Sequence, residues 1–491
     1  MKISKTKFIA GVQCLKRLYL LVHAHELAAQ PDGSNQAIID QGREVGLLAR
    51  QLFPGGVEVD GSGGLEAAIR TTRELVENSD VPAIFEGAFE QNDVVVKTDI
   101  LQRRKENHWR LVEVKSTSDL KNHHSEDVAI QSYVLSHSGL KLASVWLAHI
   151  NRSYVLTGTT VDPRQFFSFR NLTTRTQNLQ PELKLRLREQ FRILAVPKPP
   201  DVPTGPHCIN PVVCEFFYHC NHPKPEDYIG YIPRLHASAI EQLEQMGIES
   251  IHEIPADFEL SEIQRHACIA VQTGQPWFSE ELKTEFESLR YPLYFMDFET
   301  VNPAIPRFSG MRPYDHLPFQ WSVHVQRDPG AAVEHYEFLA MDSSDPRHAF
   351  ISSLCKALGE HGSIVVYNQQ FESERLWELA GWLPEYTQRI RDIQGRLWDL
   401  LPVVRNHVYH PAFGGSFSLK AVLPALVPEM TYEGMEVPNG QAAGLAWETM
   451  IGGTMGEAEL QAKRRALLAY CGQDTLALVR LLEALQNRCA N

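Results

Sequence analysis

Three groups of residues have the types and spacing of a hydrolytic or metal centre. The first lies in VVVKTDILQRRKENHWRLVEVKST, residues 94–117, where Asp99 precedes Glu113 and Lys115. Carboxylates so placed hold a hard divalent cation, and a neighbouring ammonium can position a water for attack on a phosphate. The bland alternative is a surface salt-bridge cluster, because Glu-x-Lys is common on strands. The second group is Asp297 and Glu299 in YPLYFMDFET, followed far downstream by Tyr470 and Asp474. The third is a set of thiols: Cys14 near the start, then Cys208, Cys214 and Cys220 with five residues between neighbours. Evenly spaced thiolates suit a cubane iron–sulfur cluster with four cysteine ligands. Zinc is the competing reading, although its sites usually pair ligands as C-x2-C. Cys268, Cys355, Cys471 and Cys489 read as small buried hydrophobes.

The elements that must position these groups follow from periodicity. Val94–Val96 with Ile100, and Trp109–Val114, are two strands around the polar stretch 102–108, so an antiparallel hairpin is expected. Glu113 and Lys115, two apart, then share a face, and cross-strand pairing can bring Asp99 beside them. A helix carrying Glu44 is expected up to Pro54, another over 62–78, and a strand over 84–89 carrying Glu86. After the hairpin come a helix with Gln131 and Tyr133, a strand over 143–150, a short strand over 153–157 and a helix over 181–194. That last helix bears Lys184, Arg186, Arg188 and Arg192, which could meet a nucleic-acid backbone or be a solvated face. Residues 226–290 read as a helical connector, with Gly247 at the turn of a helix-hairpin-helix-like pair. Beyond it, an apolar strand ends in Asp297 and Glu299, and Glu372 opens a helix after the buried strand SIVVYN. Tyr470 and Asp474, four apart, share one face of an amphipathic helix. Asp399 could be a further ligand or a helix cap, and Lys420 could meet a phosphate.

Composition sets bounds on all three groups. A chain of 491 residues implies about three domains, and 43% hydrophobic with 22% charged residues is the balance of a soluble globular protein. No run of eighteen apolar residues is present, and the start is broken by Lys and Arg, so a cytoplasmic protein with no membrane association is expected. A net charge of −13 excludes coating nucleic acid through bulk charge, yet an acidic metal nuclease with a local basic groove remains compatible with it.

Residues 1–225 resemble the iron–sulfur branch of the PD-(D/E)XK nucleases, the RecB-like group that includes the nucleases of CRISPR adaptation and AddB-type helicase-nucleases. The resemblance rests on one cysteine before the core and three after it, with Asp and Glu-x-Lys between. It implies that Cys14, Cys208, Cys214 and Cys220 hold a [4Fe-4S] cluster, that Asp99 and Glu113 bind metal, and that Lys115 and Gln131 are catalytic. Glu44 and Glu86 are the candidates for a further ligand from the early helix or strand. Tyr133 stands two residues after Gln131, where the family usually has Gln-x3-Tyr. Residues 291–491 resemble the DEDD exonucleases, the DnaQ-like group of the RNase H-like superfamily. That resemblance implies metal ligation by Asp297, Glu299, Glu372 and Asp474, with Tyr470 orienting the attacking water; Glu372 stands where the family usually has Asp.

The whole order resembles a bacterial family with this two-nuclease arrangement. The expectation is an α/β multidomain chain: a restriction-endonuclease-like core over 1–225, a connector over 226–290 and an RNase H-like α/β domain over 291–491. It predicts a Mg2+- or Mn2+-dependent nuclease acting on single-stranded or terminal DNA, with DNA favoured over RNA as partner. Two rivals stand beside it: a nucleic-acid-binding or redox-sensing scaffold with degenerate sites, and an RNA 3'-5' exonuclease driven by the carboxy-terminal domain alone.

Overall fold

The structure is a computed structural model that describes residues 2–29, 33–221, 224–453 and 455–490. The chain is α/β and divides into two compact units, 1–223 with 303–315, and 224–302 with 316–491. Residues 226–290, expected as a separate connector, pack within the second unit.

In the first unit the elements run β1 (Ile3–Ser4), α1 (Lys5–Gln13), α2 (Leu15–His23), α3 (Gly33–Arg50), β2 (Val57–Glu58), α4 (Gly64–Glu77), β3 (Ala83–Gln91), β4 (Val94–Arg103) and β5 (His108–Lys115). They continue with α5 (Asn122–His137), β6 (Lys141–Ile150), α6 (Pro163–Phe166), β7 (Phe167–Asn171), α7 (Thr173–Leu194) and α8 (Phe217–Cys220). The sheet order is β2-β3-β4-β5-β6-β7, with β1 added in parallel to β4. Strand alternation sends Ile84, Val94, Val96, Leu101 and Leu111 to one core with Phe8 of α1, Val128 and Val134 of α5 and Leu187 of α7. Phe85, Ile100, Val112 and Ala148 go to the other, against Val45 and Leu48 of α3. Both faces are therefore covered, which is why the strands read as nearly continuous apolar runs.

The hairpin forms as its sequence suggests, but it opens. The β4–β5 ladder runs antiparallel from Arg103↔Trp109 to Ile100↔Val112 and stops there. The strand expected over 153–157 is instead loop, tied by Leu156 N–H to the Met311 carbonyl at 2.9 Å and by Gly310 N–H to the Leu156 carbonyl at 2.8 Å. The basic helix starts earlier than expected, at Thr173, and Pro181 lies inside it.

The second unit opens with α9 (Ala237–Gln245), α10 (Glu262–Thr273), β8 (Trp277–Phe278) and α11 (Leu282–Glu285). Gly247 takes a left-handed φ of 78°, but only a single 3-10 turn, Ile251–Glu253, follows it, so the expected second helix of a hairpin pair does not form there. Next come β9 (Leu293–Val301), β10 (Leu317–Gln326), β11 (Val333–Leu339), α12 (Arg347–Ala357), β12 (Ile364–Val366), α13 (Gln369–Trp382), α14 (Thr387–Gln394) and β13 (Leu397–Asp399). The unit closes with α15 (Leu400–His407), β14 (Val408–Tyr409), α16 (Leu419–Leu426), α17 (Gly440–Ile451) and α18 (Glu457–Ala490). Its five-stranded sheet has the order β11-β10-β9-β12-β13, antiparallel through β9 and parallel beyond it. Along β9, Leu293 and Phe295 face a core built with α15 and α18, while Tyr294, Met296 and Phe298 face α12, α13 and α14. No helix among the described residues is long and apolar enough to cross a membrane.

Candidate metal centres and the cysteine site

Where the β4–β5 ladder ends, the Asp99 carboxylate takes the place of the next backbone pair: its Oδ2 accepts from Val114 N–H at 2.7 Å. That splay places Asp99 and Glu113 together, a cause distinct from the regular pairing expected from the hairpin. Glu113 is almost fully buried and accepts hydrogen bonds from three side chains. Its Oε1 takes Lys115 Nζ at 2.7 Å and Lys5 Nζ at 2.9 Å, and its Oε2 takes Gln131 Nε2 at 2.7 Å. Asp127 of α5 completes the group, accepting Lys115 Nζ at 2.5 Å, Lys5 Nζ at 3.3 Å and Gln131 Nε2 at 3.2 Å. Gln131 and Asp127 are four apart on one helix, so both reach the same face.

The electrostatics follow from this packing. Burial works against ionisation of Glu113, but Lys115 and Lys5 outweigh it and hold the carboxyl well below its usual range. Burial, then the charge of Glu113, pushes Asp99 the other way, up to about 7. Both ammonium groups are held protonated: burial opposes this, and Glu113 and Asp127 prevail. A protonated Lys115 can donate to and orient a water but cannot take its proton.

Two of the expected ligands are differently placed. Glu44 is exposed on α3. Glu86 lies opposite Asp99, between the pairs Phe85↔Ile100 and Gly87↔Thr98, but its φ of 55° interrupts the ladder there and its carboxylate pairs with Arg50 Nη2 at 2.9 Å. Tyr133 also points away, its hydroxyl accepting from Asn92 Nδ2 at 3.2 Å. Lys5 and Asp127, absent from the expected set, are in the centre. Asp127 could have been found from its spacing to Gln131, whereas Lys5 is brought in by a contact 108 residues long in sequence.

In the second unit Asp297, Glu299 and the Cys471 thiol lie with their ligand atoms within 4.8 Å of one another. Asp297 and Glu299 come from β9; Tyr470, Cys471 and Asp474 come from α18. Glu372, in the first turn of α13, is buried, and its Oε2 has no hydrogen-bond partner. Burial, then Asp474, raises Asp297 well above the ordinary range; burial, then Asp297, does the same for Glu299 and for Glu372. Asp474 is pushed up to about 6 by burial, tempered by hydrogen bonds from Tyr432 and Tyr470. The Tyr432 hydroxyl donates to Asp474 Oδ1 at 2.6 Å, a contact that sequence spacing did not suggest. Burial and then Asp474 raise Tyr470, so its phenol stays protonated as a donor. Lys420 is exposed, with Nζ 5.3 Å from the ring centres of both Tyr432 and Tyr470. Asp399 is a cap: its carboxylate accepts from the backbone N–H groups of Asn368, Gln369 and Leu401 at 2.9–3.0 Å.

These acids offer hard oxygen donors around buried, mutually repelling charge, a donor set that fits a divalent cation such as Mg2+ or Mn2+. Asp99 and Glu113 offer the same donor type in the first unit. The nearby Cys471 thiol adds one soft donor.

The four cysteines Cys14, Cys208, Cys214 and Cys220 line one cavity with Lys16, Arg17 and His207. Cys14 is the extended residue between α1 and α2, and Gln13 before it donates to the carbonyls of His207 at 2.7 Å and Val212 at 2.8 Å. Arg17 Nε bonds Glu215 Oε2 at 2.8 Å. The beginning of the unit is thus fastened to its end beside the thiols. Gly205 N–H points at Cys208 Sγ at 3.5 Å. An all-thiol set with basic and N–H donors around it fits either a cluster or zinc.

Residues 294–418 match the family described as "Domain of unknown function (DUF2779)", a span that takes in Asp297, Glu299 and Glu372 and ends before Tyr470. "Uncharacterized protein UU173" of Ureaplasma parvum is 24% identical over 218 residues, 40% of this chain and 31% of that protein. "Uncharacterized protein MG366 homolog" of Mycoplasma pneumoniae is 23% identical over 220 residues, 41% of this chain and 33% of that one. The chain spans about a third of the length of these curated relatives. The solved structure titled "Crystal structure of SSO0001" aligns over 38% of this chain and 75% of its own at 12% identity, with a TM-score of 0.18.

Proposed function

We propose that the protein is a divalent-cation-dependent nuclease that hydrolyses phosphodiester bonds, with DNA favoured over RNA and single strands or ends favoured over intact duplex. The observation that carries this reading is the convergence of Asp297, Glu299, Glu372 and Asp474 from β9, α13 and α18, all raised by burial and mutual repulsion, with one Glu372 oxygen left without a partner. Like charges buried together are costly unless a cation is to be held among them. The β11-β10-β9-β12-β13 order supports an RNase H-like reading of this sheet. The splayed β4–β5 pair, with Asp99 on one strand and Glu113 and Lys115 on the other, supports a PD-(D/E)XK-like reading of the first.

Asp99 and Glu113, and the four acids of the second unit, would hold Mg2+ or Mn2+, which would supply Lewis-acid activation of water and charge neutralisation at the phosphate. The protein's own groups do the rest. Lys115, kept protonated, orients the water at the first centre; Gln131 fixes the Glu113 carboxylate through Oε2. Tyr470 donates at the second centre, while Tyr432 keeps Asp474 in register. The four cysteines hold a [4Fe-4S] cluster that fastens α1 and α2 to the 206–220 segment in this reading, and the anaerobically purified protein then shows a broad visible absorption band. A colourless protein with stoichiometric zinc overturns that cofactor.

The test of the activity is degradation of DNA and RNA by the full chain with Mg2+ or Mn2+, alone and as Lys115→Ala and Asp297→Ala. Two separable losses are expected. No degradation of either polymer by the unmodified protein sinks the proposal, and RNA trimming that survives Lys115→Ala with no DNA cleavage replaces it with an RNA exonuclease.

A further inference from the structure

Lys5 has no part in the mechanism above, yet it is built into the first centre more firmly than a surface lysine would be. Its Nζ shares Glu113 Oε1 with Lys115, at 2.9 Å against 2.7 Å, and reaches Asp127 Oδ1 at 3.3 Å. Only 23% of the side chain is exposed. Its backbone is anchored from three sides. Ile3 and Ser4 pair in parallel with Val94 and Val95 on the strand that carries Asp99, Ile3 N–H donates to the Asp93 carbonyl at 2.8 Å, and the Ile3 side chain is fully buried. Ser4 caps α1 through Lys7 N–H at 3.3 Å. From α7, Gln190 Nε2 holds the Phe8 carbonyl at 3.0 Å. A long, flexible ammonium gains little from an exposed ion pair; one with its backbone fixed beside a buried carboxylate loses much less entropy in making it.

Charge counting gives the placement its meaning. Asp99, Glu113 and Asp127 are three carboxylates against two ammonium groups, Lys5 and Lys115. The second unit sets Asp297, Glu299, Glu372 and Asp474 against the exposed ammonium of Lys420 and, at Glu372, the guanidinium of Arg375. A second divalent ion beside Lys5 and Lys115 would bring excess positive charge to the first centre, whose deficit is the smaller of the two.

We propose that the Lys5 ammonium stands in for a second divalent cation, so that the Asp99–Glu113 centre takes a single metal ion. This rests on the metal-nuclease reading of both units. Lys5 is then a positioning residue: it balances Glu113 and Asp127 and leaves the remaining donor capacity, with Asp99, for a single ion.

Mn2+ binding by equilibrium dialysis of the full-length protein tests it, with Asp297→Asn and Asp474→Asn silencing the second unit. One Mn2+ per chain is expected with Lys5 in place, one with Lys5→Arg, and two with Lys5→Met. In parallel, the Mn2+ dependence of cleavage at the first centre changes from hyperbolic to sigmoidal in Lys5→Met. Two ions bound with Lys5 in place overturn the proposal, and that count decides even where Lys5→Met does not fold. One ion in both the Lys5 and the folded Lys5→Met proteins also overturns it. No Mn2+ bound with Lys5 in place removes the metal-nuclease reading of the first unit itself, and the role of Lys5 with it.

Discussion

The two acidic centres handle buried charge in opposite ways. In the first unit, two ammonium groups and an amide sit on Glu113 and Asp127, so the carboxylates are neutralised by the chain itself. In the second, four acids face one another with an exposed lysine nearby, and the buried ones are driven toward protonation. A centre balanced by its own lysines keeps its geometry without metal and is destabilised by the loss of any partner. A centre of unbalanced acids carries their mutual repulsion, and losing an acid relieves it. The same residue type therefore stabilises one unit and destabilises the other.

The largest effects that test this contrast are on turnover. Lys115→Ala is expected to lower cleavage at the first centre about 10²–10³-fold, and Asp297→Asn to lower cleavage at the second by at least about 10²-fold, each leaving the other centre active. Kinetic assays with the complementary variant as background separate them, and a shared loss breaks the picture of two independent centres.

Stability in the absence of metal should move in opposite directions. Glu113→Gln leaves two ammonium groups without their shared negative charge and is expected to cost about 3 kcal/mol, near the low end for breaking a buried pair because the lysines keep some solvent access. Glu299→Gln removes repulsion and should raise the melting temperature of the metal-free protein. Calorimetry in chelator reads both, and two losses of stability would remove the distinction.

A smaller effect is expected along the pH axis. A carboxyl whose folded value is raised contributes stability fully present below its unfolded value and lost as pH rises through the folded one. Asp474, raised from 3.8 to about 6, should weaken the metal-free second unit between about pH 4 and 6, and Asp297, Glu299 and Glu372 continue the loss above that. Glu113 has the opposite sign: its contribution is present above about pH 4.5 and is lost only as the medium becomes strongly acidic. Asp99, raised to about 7, follows the second unit's behaviour within the first. Saturating Mg2+ should flatten the decline of the second unit, and thermal melts from pH 4.5 to 7.5 with and without Mg2+ measure it.

The smallest expected change is from Tyr470→Phe. One lost hydrogen bond is worth about 1 kcal/mol, so turnover at the second centre should fall only several-fold, with KM little altered because Tyr432 still holds Asp474. A loss as large as that of Asp297→Asn would mean that the tyrosine does more than orient water.

Much of this was legible along the chain because it depends on local periodicity. The β4–β5 hairpin, the pairing of Glu113 with Lys115, the β9 strand ending in two acids and the shared helical face of Tyr470 and Asp474 all follow from spacings of two or four residues. Asp127 was within the same reach but was hidden by the attention a Gln-x-Tyr pattern draws to Tyr133, which faces Asn92. The exposure of Glu44, and the left-handed backbone that gives Glu86 to Arg50 although it lies opposite Asp99, are not written in residue type. The expected second helix after Gly247 failed because seven residues from Ile248 to Ile254 carry only a single tight turn before proline.

What the sequence determined by itself is the inventory: which strands and helices form, and that acids, lysines and thiols recur at spacings able to hold metal. What only the tertiary structure decided is the balance of charge among them. Lys5 reaches Glu113 because a two-residue strand pairs with Val94 and Val95, and Tyr432 reaches Asp474 across 42 positions of chain. Electrostatic energy depends on distance through space and on burial, and neither is a property of neighbours along a chain. For that reason two similar sets of acids became one centre compensated by lysines and one whose buried acids repel one another.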